Sequence, residues 1–246
     1  MEIVSWNLHQ YLKPKTFRRL EMQHLRDLFS IVLVSLIMLV LASCHIAIKG
    51  QNDTAIDGTK LKYDNEITLS DNYDLSDLEI LGGTLSISLK GHADSDMTLA
   101  IKYREYEPGD AVAYISNGKI RTKSKSGKPV SIYNVTGYIP ENLGLDIKTG
   151  TGTIELSGLK GQQNISIISG TGDIELTDSS IKVFSAKAGT GSVTLSNNQV
   201  NTASIKIGTG DIILNNSKIN QQEFSTGTGK IIQKEPNPVH KNKGSI

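Results

Sequence analysis

The chain has 246 residues, a formal charge of +1 at pH 7, one cysteine, and few aromatics at 5% of residues. That length supports one or two domains with a sizeable core, and the near-neutral balance points away from nucleic acid. A single cysteine excludes an intramolecular disulfide, while 23 glycines beside so few aromatics suggest a β-rich, turn-rich chain with a small-aliphatic interior.

The first stretch reads as a targeting segment. Lys13, Lys15, Arg18, Arg19 and Arg26 precede the uncharged apolar run LFSIVLVSLIMLVLAS at 28–43. Small residues then lead into the cysteine as Leu41-Ala42-Ser43-Cys44. A basic region, an apolar region and a small-residue cleavage site make a secretory signal. Leu-Ala-Ser-Cys also resembles the bacterial lipobox. That resemblance implies a lipoprotein-type signal peptide at 1–43 and acyl chains of the palmitate kind on Cys44. Diacylation plus an N-terminal acyl group holds a protein far more firmly than one chain. Two alternatives stay open. The uncharged stretch continues to Ile48, 21 residues in all, long enough to span a bilayer as an uncleaved anchor. Met22 is also a candidate start. In each version the part after Cys44 leaves the cytoplasm. Position 45 is His and not Asp. By resemblance to the enterobacterial sorting rule, this favours the outer membrane or cell surface over the inner membrane.

Residues 44–59 are polar and read as a tether. Residues 60–139 form a less regular β part. Leu78, Ile80, Leu85 and Ile87 surround Gly82-Gly83 in an inward-facing pattern, and Leu99, Ile101 and Tyr103 alternate. The sharpest surface feature here is GKIRTKSKSGK at 118–128. Lys119, Arg121, Lys123 and Lys125 alternate, so on a strand they line one face, with Tyr114 just upstream. Such a face suits an anionic glycan, a lipid headgroup or peptidoglycan carboxylates. The favoured reading is nevertheless a charged edge hairpin that blocks strand pairing. Acidic residues, denser from Asp64 to Glu79, are available to pair with it.

A repeat dominates residues 140–232. Gly-Thr-Gly begins at Gly150, Gly170, Gly189, Gly208 and Gly227, at spacings of 20, 19, 19 and 19. Self-similarity at this period is the mark of a solenoid. Three residues before the first glycine stand Ile147, Ile167, Ala186, Ile205 and Phe224; four after it stand Ile154, Ile174, Val193, Ile212 and Ile231. Six after it the column is Leu156, Leu176, Leu195 and Leu214, until Gln233 ends it. Within each copy apolar and polar residues alternate, which is strand periodicity. Each copy therefore offers two short strands joined by the Gly-Thr-Gly corner. A second polar corner follows, such as Ser196-Asn197-Asn198 or Asn215-Asn216-Ser217. One such coil cannot offset the entropy of ordering itself, so neighbours must share a core. The expected fold is all-β, a single-stack β-solenoid with coils of about 19 residues, and residues 233–246 form a disordered tail.

These columns, with IPENLGLDIKTGTGTIELSG at 139–158, resemble the putative-adhesin family of bacterial β-solenoids, a domain of otherwise unknown function. The resemblance covers residues 60–232 and implies the solenoid fold and an exported, membrane-anchored setting. It transfers no catalytic residue.

The chemistry that such glycine-rich loops suggest elsewhere lacks its other parts here. Gly229-Lys230 is followed by Ile231, and position 224 is Phe, so no P-loop forms. A calcium β-roll needs an aspartate in every turn, and the residue after the second glycine is Thr153, Asp173, Ser192, Asp211 and Lys230. Asp173 and Glu175 share an outer face, with Glu155 in the column of Glu175, but no histidine lies in the regular coils. No catalytic residue, cofactor or metal ligand is expected. The sequence thus points to a non-enzymatic, lipid-anchored envelope protein that binds an envelope glycan or another envelope protein through a polar solenoid surface. Two alternatives are an envelope-stress or regulatory accessory protein and a carbohydrate-active β-helix enzyme with a carboxylate pair.

Overall fold

The computed structural model describes residues 54–56, 58–72 and 74–234, and all regular structure there is strand. Among these residues no helix is long and apolar enough to cross a membrane. The signal segment, Cys44 and the tail beyond Lys234 lie outside them.

A short hairpin, β1 (Thr54–Ile56) with β2 (Thr59–Leu61), falls at the end of the stretch read as a tether. After β3 (Tyr63–Asp71), strands β4 (Asp77–Thr84) and β5 (Ser86–His92) make the first coil. Next come β6 (Met97–Glu105), a hairpin of β7 (Ala111–Ser116) and β8 (Lys119–Ser124), and β9 (Ser131–Pro140). The five Gly-Thr-Gly coils follow in pairs. They are β10 (Gly144–Thr151) with β11 (Ile154–Ser157), and β12 (Asn164–Thr171) with β13 (Ile174–Thr177). Then come β14 (Ser180–Thr190) with β15 (Val193–Ser196), and β16 (Gln199–Thr209) with β17 (Ile212–Asn215). The last pair is β18 (Lys218–Thr228) with β19 (Ile231–Lys234).

The first strands of the coils stack in parallel into an eight-stranded sheet, ordered β18-β16-β14-β12-β10-β4-β8-β7. The second strands stack into a nine-stranded sheet, β19-β17-β15-β13-β11-β5-β9-β6-β3. The β-solenoid and its coils of about 19 residues are therefore as the repeat predicts. Gly82-Gly83 belongs to the same stack: β4 pairs with β10 (Leu78 with Leu145, Ile80 with Ile147) and β5 with β11 (Ile87 with Ile154). The chain between these two coils does not coil. Strand β9 adds in parallel to β5, then β6 and β3 add antiparallel, so this segment closes the end of the stack. The large Tyr103 is buried there, its hydroxyl donating to the Ala111 carbonyl at 3.0 Å. The buried cluster draws every side chain from residues 78–214. Residues 46–246, one compact unit, thus carry their own core.

Inside the stack the expected columns point inward and are buried, but in the last coil, which no further coil covers, Phe224 is half-buried and Ile231 is 51% exposed. A further inward column lies five residues before the first glycine: Leu145, Ile165, Phe184 and Ala203. Its size varies because the neighbours compensate. Phe184 fits where the same strand has Ala186 and Ala188, and the next has Ala203, which conserves core volume. In β18 the column turns polar at Gln222.

The corner dictates its glycines. At Gly191 φ is +129°, and an added Cβ would lie 2.2 Å from the Gly172 carbonyl oxygen one coil away. At Gly189 it would lie 2.5 Å from the Gly170 oxygen. Coils at strand spacing leave no room for a side chain there. The opposite corner uses asparagine. Asp178, Asn197 and Asn216 all have φ between 48 and 58°. They form a ladder in which Asn197 donates to Asp178 (3.1 Å) and Asn216 to Asn197 (2.8 Å). Short Asp and Asn side chains tolerate this conformation, and each asparagine amide donates to the residue one coil before it.

Candidate functional site: the outer face of the eight-stranded sheet

Strand alternation sends Lys119, Arg121 and Lys123 of β8 to the outer face, while Ile120 is buried. The four predicted basic residues do not act alike. Lys119 is ion-paired with Glu79 of β4, as the acidic stretch before it suggests. Lys125 donates to the Gly109 carbonyl at 2.8 Å and serves the hairpin base. Among the described residues Arg121 and Lys123 have no ion pair. They stand opposite Tyr114 and Val112, both exposed.

Pairing extends this face well beyond β8. The single register point between β4 and β8 is Glu79 with Lys119; two residues beyond it, Arg121 and Leu81 point outward on either side of the notch where the two strands part. Leu81 pairs with Lys148, then Ile168, Lys187, Lys206 and Ser225 follow strand by strand. One paired row therefore reads Leu81, Lys148, Ile168, Lys187, Lys206, and the Tyr114–Arg121 pair of the hairpin continues it across the notch. Leu81 and Ile168 are 48% and 43% exposed, large values for such side chains. Lys148, Lys187 and Lys206 escaped the sequence reading, although they occupy one column, two residues before the first glycine. Attention to inward columns hides an outward one.

The carboxylates lie one level back. Glu79, Asp146 and Glu223 share the level of Lys119, with serines at 166, 185 and 204 between them. Asp146 accepts from Lys148 at 2.7 Å and Glu223 from Lys206 at 2.7 Å. Those bonds raise the Lys148 ammonium above its ordinary pKa and lower the Glu223 carboxyl below its own. Lys187 has no such partner among the described ion pairs. Exposed pairs of this kind contribute little stability, so they leave the cations available to an incoming anion.

Elsewhere the described chemistry is structural. Glu155 and Glu175 are paired neighbours on the outer face of the nine-stranded sheet, and both are exposed. Asp173 accepts from the Ser192 amide of the next coil at 2.8 Å. A notch of about 420 Å³ opens where β8 leaves β4, lined by Leu81–Thr84, Ile120, Thr122 and Val130–Tyr133. Arg104 borders it, held by Asp64 at 2.9 Å and stacked 4.9 Å from the Tyr133 ring centre. Burial, with help from the Asp64 carboxylate, pushes the Tyr133 phenol up. His92, Asp94 and Asp96 bring their ligand atoms within 4.8 Å of one another. The His92 Nε2 already bonds the Asp96 carbonyl at 2.8 Å, and both aspartates are exposed. A ring nitrogen already bonded and two solvated carboxylates make an incomplete cation cage.

The Toastrack DUF4097 family model matches residues 43–241, most of the chain. The chain belongs to the Toastrack DUF4097 family. The putative-adhesin resemblance drawn from the Gly-Thr-Gly coils therefore holds, and the family's function is unknown. Among curated proteins none matches this Toastrack chain. Solved structures do. A "putative cell adhesion protein" from Clostridium sporogenes is 14% identical with a TM-score of 0.40, covering 70% of this chain and 100% of its own. A "putative adhesin" from Bacteroides fragilis is 12% identical with a TM-score of 0.29, covering 69% and 97%. A "putative lipid binding protein" from Parabacteroides distasonis is 13% identical with a TM-score of 0.23, covering 70% and 97%.

Proposed function

We propose that this Toastrack protein is a cell-envelope binding protein, held to a membrane by lipid on Cys44, that works by presenting its sheet faces and not by catalysis. The observation that supports this most is the repetition of outward side chains. The Asp178–Asn197–Asn216 ladder and the Lys148–Lys187–Lys206 column set like groups on successive coils at about 4.8 Å. A flat ladder matches an extended or planar partner, whereas catalysis needs groups that converge on one point. The Leu41-Ala42-Ser43-Cys44 sequence supports export and acylation, and the outer membrane or cell surface is the destination we favour.

Cell fractionation tests the anchor. Cys44→Ala should move the protein from the membrane to the soluble fraction, and the parent should incorporate labelled palmitate where the variant does not. A variant that stays membrane-bound identifies residues 28–48 as an uncleaved span. Crosslinking in living cells, read by mass spectrometry, tests the binding role. Recovery of one envelope polymer or protein supports it. Turnover of an acidic or neutral glycan by the purified protein would overturn the non-catalytic reading in favour of a carbohydrate-active enzyme.

A further inference from the structure

We propose that the outer face of the eight-stranded sheet docks on an anionic phospholipid surface, along the row from Tyr114 to Lys206. The row alternates cationic and apolar side chains: Arg121, Lys148, Lys187 and Lys206 are interleaved with Tyr114, Leu81 and Ile168. Its five paired strands, from Leu81 to Lys206, span about 19 Å at strand spacing, and the β7–β8 hairpin extends the face further. Of the six large exposed hydrophobics among the described residues, four lie on this face, namely Leu81, Val112, Tyr114 and Ile168. No acidic side chain stands at the level of the row. One level further on, towards the Gly-Thr-Gly corner, come Val112, Lys123 and a file of glycines. Up to the glycine file the margin is therefore cationic and apolar; the carboxylates of Asp173 and Asp211, at the corner itself, are occupied by the Ser192 and Lys230 amides.

The alternation selects the partner. Each basic residue gains from a negative headgroup layer, and long side chains lay their stems on apolar surface while the charge stays in water. Leucine, isoleucine and tyrosine between them have a place to go only where acyl chains lie beneath the headgroups. An extended polyanion would use the lysines and leave Leu81 and Ile168 in solvent. Reach agrees. Fewer than fifteen residues separate Cys44 from Gly58, at most about 50 Å of chain. An acylated Cys44 would then keep this face at high effective concentration beside the bilayer. For that tethering the inference rests on the Cys44 reading, but the charge pattern stands without it.

The experiment accordingly uses residues 46–246, which carry their own core and lack Cys44. Co-sedimentation is measured with vesicles of phosphatidylcholine alone and with about a third phosphatidylglycerol, a strongly anionic surface. Binding is expected only to the anionic vesicles. Replacing Arg121, Lys123 and Lys187 together by serine should weaken it roughly a hundredfold, since each basic residue near such a surface contributes about a fivefold factor. Leu81→Ser with Ile168→Ser should weaken it about tenfold. Replacing Lys90 and Lys234, exposed on the nine-stranded sheet, by serine should change it less than about twofold, because distant exposed charges are screened. Circular dichroism checks that every variant folds; all the changed side chains point outward. Three results overturn the proposal: no binding to anionic vesicles, equal loss from the control set, or tight binding to poly(glycerol phosphate) by a protein that ignores vesicles. Failure of the Cys44 reading shows separately, as an unchanged membrane fraction for Cys44→Ala.

Discussion

Replacing Gly191 by alanine tests the corner that makes the solenoid possible. The new Cβ would sit 2.2 Å from the Gly172 carbonyl oxygen. Carbon and oxygen tolerate about 3.3 Å, so the two coils must part by about 1 Å at that point. Two bonds between the coils flank it, Gly172 N–H to the Thr190 carbonyl and Ile174 N–H to the Ser192 carbonyl, each 2.9 Å. Losing both costs about 2 kcal/mol. Holding alanine at the φ of +129° adds about 1–3 kcal/mol of strain. The sum is about 3–5 kcal/mol, which for a domain of this size lowers the melting temperature by roughly 6–20 °C. Gly83→Ala is the matched control: an added Cβ there meets nothing within 4 Å, so its effect should stay within about 0.5 kcal/mol. Thermal melts of residues 46–246, followed by circular dichroism, compare the two. If Gly191→Ala melts within about 2 °C of the parent, the claim that close coil approach selects this glycine is wrong.

Three further outcomes follow from buried or paired polar groups. Asn198 is 1% exposed, donates to the Leu176 carbonyl at 2.7 Å and accepts from the Ser179 amide at 2.9 Å. Asn198→Ala strands both partners and should cost about 2–4 kcal/mol, with faster hydrogen exchange at the Ser179 amide. The buried Glu105 carboxylate accepts from the Gly109 and Ala111 amides and from Asn65, at 2.7 to 3.0 Å. Glu105→Ala should cost a similar 2–4 kcal/mol and open the 106–110 turn to limited proteolysis before the coils. The Asp110 carboxyl is held below its usual value, chiefly by the Ser126 hydroxyl and then by the Ser126 amide. A lowered folded-state pKa means stability that is complete above the ordinary carboxylate range and lost as pH falls through the folded value. The base of the β7–β8 hairpin should therefore loosen in strong acid, and Asp110→Asn should abolish that pH dependence of Ser126 amide exchange.

Much of the solenoid was legible because its rule is local and repeated. The glycine column, the inward Ile154–Ile174–Val193–Ile212 file and the polar corner at Asn197 each recur at 19 or 20 residues. A parallel stack converts that period directly into neighbours, as Ile174 beside Val193 shows. The file through Phe184 was harder to see. Its side chains change size from coil to coil, and the neighbouring alanines that make room belong to other columns. The basic strand at 119–125 was visible as an alternation, but its division of labour was not. Glu79, which engages Lys119, lies 40 residues away in sequence.

By itself the sequence determined the coil, its two corners and the direction of each side chain, since these follow from strand periodicity and glycine sterics within one repeat. The tertiary structure alone decided that residues 97–140 leave the stack and return as a closing set of strands. Antiparallel partners such as Tyr63 with Glu105 have no fixed separation that a sequence displays. The long-range pairing of β4 with β10 likewise set Leu81 in line with Lys148 and Lys187, and the Glu79–Lys119 bridge brought the strand of Arg121 to the same face. Side-chain direction is a local property, and the neighbour it meets depends on which strands pair.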